Sequence, residues 1–465
     1  MLIQLRHLFF MANGIAILYM NEYDENDNHF HLRGSGEFMK RHLIIGMHLA
    51  VQNKHGEKDV LMDEHIAFAK RAEAAKLDFL FKADYLMAHP ELMAKTKGTV
   101  GLDPSFLLTA VARETKQIGL VTTISTSFIP PYLIARQLQS LNWISGGRVG
   151  WNIVTSIDGA YNFSNEPMPS SEERYAKAAE CTKVVKQLWH SNPYEMLETN
   201  GNIEKIKELM KPINHEGEFF HIKGSLNIPM HPAGEIPLFQ AGASDVGRQF
   251  AATVSNAIFA ATPAMEVGIE MRNDLRKRAV NVGRTADDIR LLPGLYFFIG
   301  DTYEEALGMY HHAHAHLTLE RRYDALESVI GLNVRHMALH DPVTVDMLPP
   351  ENQKVRSRTH ADLVRRYIME NEPSVEVLLA RPEVIGSAHL VAIGTPQQIV
   401  DQIVTFYEEG ALDGFIAVPG GPAKSLDLFF SDVIPLLIER GLFRAEYEGS
   451  TLSSHLGLNV QLSNK

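Results

Sequence analysis

One cysteine in 465 residues, Cys181, excludes an internal disulfide and any thiolate-rich metal centre, and fits a reducing, cytoplasmic location. It sits among Ala178, Ala179 and Val184 in a helical pattern, with no neighbour that would favour a thiolate, so it reads as a buried packing thiol. Long apolar runs are also missing. Leu8 to Met20 is apolar but shorter than the roughly 20 residues a bilayer span needs. The polar stretch Asn21 to His31 follows it, with no small-residue cleavage site, so it does not read as a signal-peptide core. Positive charge is in deficit: a net charge of −12 excludes the positive fields by which proteins track nucleic acid or bind anionic membranes. There is no repeat of solenoid length, and no strand leading through Gly-x-Gly-x-x-Gly into a helix, hence no nicotinamide dinucleotide site. What is left is small-molecule chemistry.

Apolar residues make up 45% and charged residues 22% of the chain, enough to bury a large core without a staple. From residue 42 onward, β-rich runs alternate with amphipathic helical ones, the pattern of a parallel sheet wrapped by helices. The expected strands are Leu43–Leu49, Phe79–Ala83, Ile118–Ser125, Arg148–Thr155, Pro237–Gly242, Ala257–Ala261, Ile289–Ile299 and Gly414–Val418. Apolar spacings of three and four predict helices over Glu64–Lys76, Pro104–Thr115, Pro131–Ile144, Glu172–Trp189, Asp245–Val254, Met265–Val282, Tyr303–Ile330 and Leu426–Arg440, with one more from Pro396 to Gly410. Asp103 before Pro104, Ser244 before Asp245 and Thr395 before Pro396 are start signals. This predicts an α/β fold, a (β/α)8 TIM barrel occupying about 41–456 as one domain. Stretches 191–235 and 332–388 break the rhythm and read as insertions on the barrel, the second as a lid. Residues 1–40 read as a poorly ordered or non-native extension, with Met39 a sensible start, and 457–465 as a tail.

The most informative segment is Gly147-Arg148-Val149-Gly150-Trp151-Asn152-Ile153-Val154-Thr155-Ser156: a buried strand after a glycine turn, with polar residues at its C-terminal end, where barrel enzymes hold ligands. The block resembles the signature of the luciferase-like flavin monooxygenases, in the group of nitrilotriacetate, dibenzothiophene sulfone and long-chain alkane monooxygenases. Further blocks follow that pattern in order: Phe81-Lys82-Ala83-Asp84, Thr122 to Thr126, Gln240 to Ser244 with Gly247-Arg248, Gly394-Thr395-Pro396, Asp413-Gly414-Phe415 and Glu439 to Arg444. The resemblance spans residues 42 to 456 and implies FMN as cofactor, used as FMNH2 supplied by a separate NAD(P)H:FMN reductase. It implies insertion of one oxygen atom of O2 into a small organic substrate, sulfur- or nitrogen-containing by analogy. The expected assembly is a homodimer or homotetramer, with no nucleic-acid or membrane partner.

Carried over position by position, the resemblance assigns flavin contacts to Asp84 and Thr123, and places Ser156, Tyr175, Ala243 and Ser244 toward the phosphate end. Ser244 opens a helix, where free amide groups favour an anion; as an ordinary N-cap it would need the same hydroxyl. A strand-end carboxylate such as Asp84 can equally cap a loop, Thr123 can simply favour a strand, and Tyr175 can pack a helix start. Where the pattern often has a flavin-binding histidine beside Glu-Arg-Tyr, this chain has Ser171. His48, at the end of the first strand, is the candidate catalytic residue, a hydrogen-bond donor at the barrel mouth, with a satisfied core histidine as its plain alternative. His311, His312, His314 and His316 cluster on one helix, but only residues three or four apart share a face, so they read as a solvated or subunit-contacting surface and no metal site is expected. Two other functions fit the resemblance or the fold: a deazaflavin-dependent dehydrogenase, and a non-catalytic flavin-binding protein.

Overall fold

The computed structural model describes residues 11–12, 15–16, 42–49, 62–88, 101–350, 353, 355, 358–385 and 388–458. The chain divides into two units, Met1–Arg41 and His42–Lys465. Of the first, only a short ladder pairing Met11–Ala12 with Ile15–Ala16 is described. The expectations for residues 1–40 and for most of the 457–465 tail therefore fall outside the described residues.

The second unit is a closed parallel barrel. Its staves are β1 (Ile44–His48), β2 (Phe79–Lys82), β3 (Gly119–Ser125), β4 (Val149–Val154), β5 (Leu238–Ala241), β6 (Ala257–Ala260), β7 (Arg290–Ile299) and β8 (Gly414–Pro419). Each pairs with the next, β6 pairs with β7, and β8 returns to β1, which closes the ring. Every expected strand lies on one of these staves. Inward positions alternate along them and stack into a dry interior of Ile44, Phe79, Phe81, Val121, Phe239 and Ile416. Gly46 leaves room for this packing: a Cβ there would stand 2.2 Å from the Phe79 ring. The Phe79 ring meets Phe239 edge-on at 5.0 Å. Outward residues such as Met47, Leu80, Leu120 and Trp151 pack under the helices in the larger core.

The helical layer comprises α1 (Met62–Ala74), α2 (Pro104–Glu114), α3 (Pro131–Ser145), α4 (Ser171–His190), α5 (Asp245–Val254), α6 (Met265–Asn281), α7 (Pro396–Glu408) and α8 (Ala423–Leu428 and Ile434–Glu439, joined by a π-turn over Phe429–Val433). Asp103 caps α2 by accepting from Ser105 and Phe106 N–H, and Thr395 with Gln398 forms a capping box on α7. Cys181 is buried in α4, and burial pushes its thiol up to about 12, so it stays protonated.

Three findings differ from the sequence reading. A ninth strand, Leu390–Gly394, pairs with the upper half of β7 on the side where β6 has ended, opening a wedge in the barrel wall. The expected helix 303–330 is two helices, Tyr303–His314 and Leu319–Ile330, because Thr318 starts a new helix by accepting from Arg321 N–H. The second of these joins the later insertion: Leu326, Ile330, Val343, Val364, Ile368 and Leu378 form a small core of their own, separate from the barrel's. The earlier insertion carries the helix Ile203–Leu209 and a two-residue hairpin, His215–Glu216 with His221–Ile222.

The barrel's N-terminal end is sealed. Leu452 and Leu456 of the C-terminal segment rise into the interior beside Phe79 and Val121. Arg444 donates to the buried Asp78 carboxylate at 2.6 Å, and Tyr447 donates to the Leu77 carbonyl at 2.7 Å. Among the described residues no helix is long and apolar enough to cross a membrane.

Candidate active site

At the C-terminal ends of β2 to β5 lies a cavity of about 1210 Å3. Asp84, Thr123, Ser156, Tyr175, Ala243 and Ser244 all line it. They come from four strand ends and the start of α4, far apart in sequence, as barrel folds arrange their sites.

On one wall, Thr123 points inward from β3. Its hydroxyl donates to the Lys82 carbonyl at 2.7 Å and accepts from Asn152 Nδ2 at 2.9 Å. Asn152 is itself 2% exposed and its Oδ1 has no partner. Asp84 lies just past β2, where its carboxylate accepts from Tyr85 N–H at 2.8 Å. Burial raises its pKa and the Asp103 charge adds to this, against the Tyr85 amide and the Lys82 ammonium. Its proton is therefore easier to hold than that of a solvated carboxyl.

The opposite wall is built around the start of α5. Ser244 is its N-cap and accepts from Gly247 N–H at 3.3 Å. Asp245, in the first turn, is drawn off to Arg278 at 2.6 Å. The Tyr175 hydroxyl accepts from Gln240 Nε2 at 3.0 Å and also bonds Thr155 and Ser244. Gly247 makes this approach possible, since a Cβ there would stand 2.7 Å from the Tyr175 hydroxyl. Burial raises the Tyr175 pKa, so the phenol stays protonated as a donor. The Ser156 and Ser125 hydroxyls hydrogen-bond at 2.8 Å between the two walls.

Sequence reasoning missed several lining groups. Arg174 donates to the Pro169 carbonyl at 2.6 Å, yet its Nε is buried without a partner. Burial lowers its pKa from the usual arginine value. Asp158 receives the Tyr85 hydroxyl at 3.0 Å, and the loop Ile157 to Pro169 walls one side. Val355 and Arg358 bring the later insertion to the rim. Arg174 stands in the Glu-Arg-Tyr run and carried a sequence signal; the loop, lacking periodicity, did not. Ser171 does line the cavity, as the first residue of α4.

A pattern of the family described as luciferase-like monooxygenase matches residues 39–413. The chain belongs to the luciferase-like monooxygenases. It is 32% identical over 439 residues to the N-acetyl-S-(2-succino)cysteine monooxygenase of Bacillus subtilis, covering 90% of this chain and 97% of that one. It is 34% identical over 407 residues to nitrilotriacetate monooxygenase component A of Aminobacter aminovorans, covering 84% and 88%. Among solved structures it is similar to riboflavin lyase with modified FMN and riboflavin, at 27% identity and a TM-score of 0.76 over 90% of this chain and 96% of that one.

His48 lies outside the cavity lining. It projects inward at the end of β1, 6.3 Å from the Phe81 ring, and burial together with Lys82 and His389 lowers its pKa to about 4. The histidine cluster also separates. The helix ends at His314, leaving His316 beyond it, and His314 packs among Tyr296, Phe298 and Tyr310. Among the described residues no group of three or more potential ligands could hold a metal ion.

Proposed function

We propose that this luciferase-like monooxygenase is the oxygenase component of a two-component system. It takes FMNH2 from a separate NAD(P)H:FMN reductase and inserts one oxygen atom of O2 into a small sulfur- or nitrogen-containing molecule. The observation that carries the reading is the convergence of six residues, chosen from sequence, on one cavity with a helix N-terminus at one end. The residues fit the cofactor. The volume of about 1210 Å3 exceeds the usual range of roughly 300–1,000 Å3 for a single small ligand, leaving room for a flavin and a substrate. The α5 start, Ser244, the Tyr175 phenol and the unpartnered Arg174 Nε are donors suited to a phosphate. Behind the lining residue Thr123, Asn152 donates to its hydroxyl and so sets the direction in which that hydroxyl donates, to the Lys82 carbonyl.

Reduced FMN supplies the electrons that activate dioxygen. The protein's part is to hold it between the two walls and keep water out. Asp84, with its raised pKa, places a carboxyl able to keep or release a proton beside the ring end of the site. The names of both curated relatives above are those of monooxygenases acting on small molecules that contain nitrogen or sulfur, which supports that class here. The test is oxygen uptake by the purified chain with chemically reduced FMN and a panel of small sulfur and nitrogen compounds. One oxygen atom from isotopically labelled dioxygen in the product, with a matching fall in hydrogen peroxide per FMNH2 oxidised, is expected. Oxygen-independent turnover when a deazaflavin replaces FMN would mean hydride transfer instead, and flavin binding with all the oxygen released as peroxide and no product would mean a carrier.

A further inference from the structure

The flavin reading uses the side of the barrel mouth formed by β2 to β5. The other side, formed by β6, β7 and β1, carries a second set of groups. His48 ends β1 and His389 immediately precedes the wedge strand Leu390–Gly394. Two phenyl rings join them into an arc: His48 to Phe81 at 6.3 Å, Phe81 to Phe259 edge-on at 5.2 Å, and Phe259 to His389 stacked at 5.4 Å. His389 fills the notch left by Gly294, where a Cβ would stand 2.4 Å from its Nδ1. That nitrogen is buried without a hydrogen-bond partner.

The charged and titratable groups acting on this arc are of one sign. Lys82 and His389 act on His48, and His360 of the helix Arg358–Asn371 acts on His389. The Lys82 ammonium, 3.3 Å from the Leu49 carbonyl, has Asp84 as its counter-charge, and Asp84 belongs to the flavin side. Among the described residues no carboxylate acts on either imidazole.

We propose that this half of the mouth is the substrate subsite, and that it takes a carboxylate of the substrate against His48 and His389, with the carbon skeleton on the partly buried Phe259. The proposal rests on the reading of the other half as the flavin site. Each neutral imidazole offers one N–H to a carboxylate oxygen. The low-dielectric mouth strengthens attraction to an anion, and among the described residues no acid acts on the two rings to compete for the place. A proton count follows from the same geometry. Burial first, then the neighbouring basic groups, lower both pKa values to about 4, so both rings are neutral at pH 7 in the free protein. A bound carboxylate reverses the sign of the local field and offsets the cost of charging a ring. Binding should therefore draw a proton from solution.

The experiment uses the full chain loaded with FMN, with succinate as probe and dimethyl succinate as its neutral counterpart. Calorimetric titrations at pH 7 in MOPS and in Tris give the number of protons exchanged. The expected result is succinate binding with net uptake of up to one proton, and at least tenfold weaker binding of the ester. His389→Gln and His48→Gln should each weaken succinate at least tenfold and reduce the uptake, with FMNH2 affinity within twofold of the unaltered chain. Failure of succinate to bind, equal binding of acid and ester, or binding without proton uptake would each overturn the proposal. So would succinate affinity unchanged in both variants. If either variant lowers the thermal midpoint, the acid-to-ester ratio and proton count of the unaltered chain still decide. A separate FMNH2 titration distinguishes the two readings: no FMNH2 binding removes the flavin site, whereas normal FMNH2 binding without succinate removes only the subsite.

Discussion

Arg148, buried at the N-terminal end of the barrel, and Arg174, half-buried at the C-terminal end, are two cations handled in opposite ways. Arg148 gives its Nε to the Ser145 carbonyl, and its two Nη groups to the carbonyls of Ala112, Thr115 and Ile118 and to the Thr115 hydroxyl. Asp78, on the same floor, accepts from Ile45 N–H at 2.7 Å and from Arg444. Arg174 keeps an unmet Nε at the cavity, and Asn152 and Gln240, which donate to the cavity-lining Thr123 and Tyr175, each keep an unmet oxygen. The contrast is one of degree, since Gln117 Oε1 and Arg444 Nη1 are also unmet near the floor. It teaches that the floor's polar groups are answered from within the chain, as stability requires, while the mouth's await a ligand.

The largest effect expected from breaking this contrast is at the floor. Arg444→Met leaves the Asp78 carboxylate buried beside an apolar chain, and losing one partner of a buried pair costs about 3–5 kcal/mol. Urea denaturation should show that loss, with FMNH2 affinity of the folded fraction unchanged; a weakened flavin site would mean the two ends are not independent.

Acid should act next, and also through the floor. His455 binds the Gln117 carbonyl at 2.7 Å, and burial lowers its pKa to about 4. A lowered histidine contributes stability fully present above the unfolded value near 6.5 and lost as pH falls through 4, at most about 3 kcal/mol. Asp78, raised to about 6 chiefly by burial, works the other way, because the folded state takes up its proton first. His455→Gln should thus flatten the decline in denaturation midpoint between pH 6.5 and 4, and an unaltered slope would clear His455 of that role.

At the mouth, Ser244→Ala removes a hydroxyl from the phosphate end, where a hydrogen bond to a charged group contributes roughly 1.5–3 kcal/mol, about ten- to a hundredfold in FMNH2 affinity. The cap of α5 goes with it, at about 1 kcal/mol of stability, which a thermal melt on the same sample measures. Unchanged affinity after that correction would leave Ser244 a plain helix cap. Asp84→Ala should change FMNH2 affinity less and instead raise the ratio of hydrogen peroxide to product, read by peroxide assay against oxygen consumed. The smallest effect is expected from starting the chain at Met39, where the family match also begins: melting temperature and flavin affinity should hold, and a clear fall in either would show that the extension packs on the enzyme.

The signature block explains why so much of the site was legible. It runs from Arg148 on the floor, through the buried Trp151, to Thr155 and Ser156 at the mouth, so one short stretch records both ends of the barrel. Strands announce themselves by β-rich runs, and helix starts by Asp103, Ser244 and Thr395. The wedge strand Leu390–Gly394 did not, because five apolar residues at the edge of an insertion carry no periodicity to set strand from loop. His389 was missed for the same reason: its place in the mouth depends on that strand and on the Gly294 notch, both long-range features. Thr318 was a legible helix start that a continuous run of helix-forming residues concealed.

The sealing of the floor has a consequence in time. Arg444 reaches Asp78 across 366 residues and Tyr447 reaches Leu77 across 370, so the ring's first two staves wait for almost the last part of the chain. At about 5–20 residues per second of synthesis, that wait is roughly 20–70 s, during which β1 has an unpaired edge where β8 will later dock. Contacts of such span make folding slow and expose the nascent chain to association. Loss of a handful of residues around Tyr447 to Leu456 would leave a chain with every catalytic group present and no timely way to close around them.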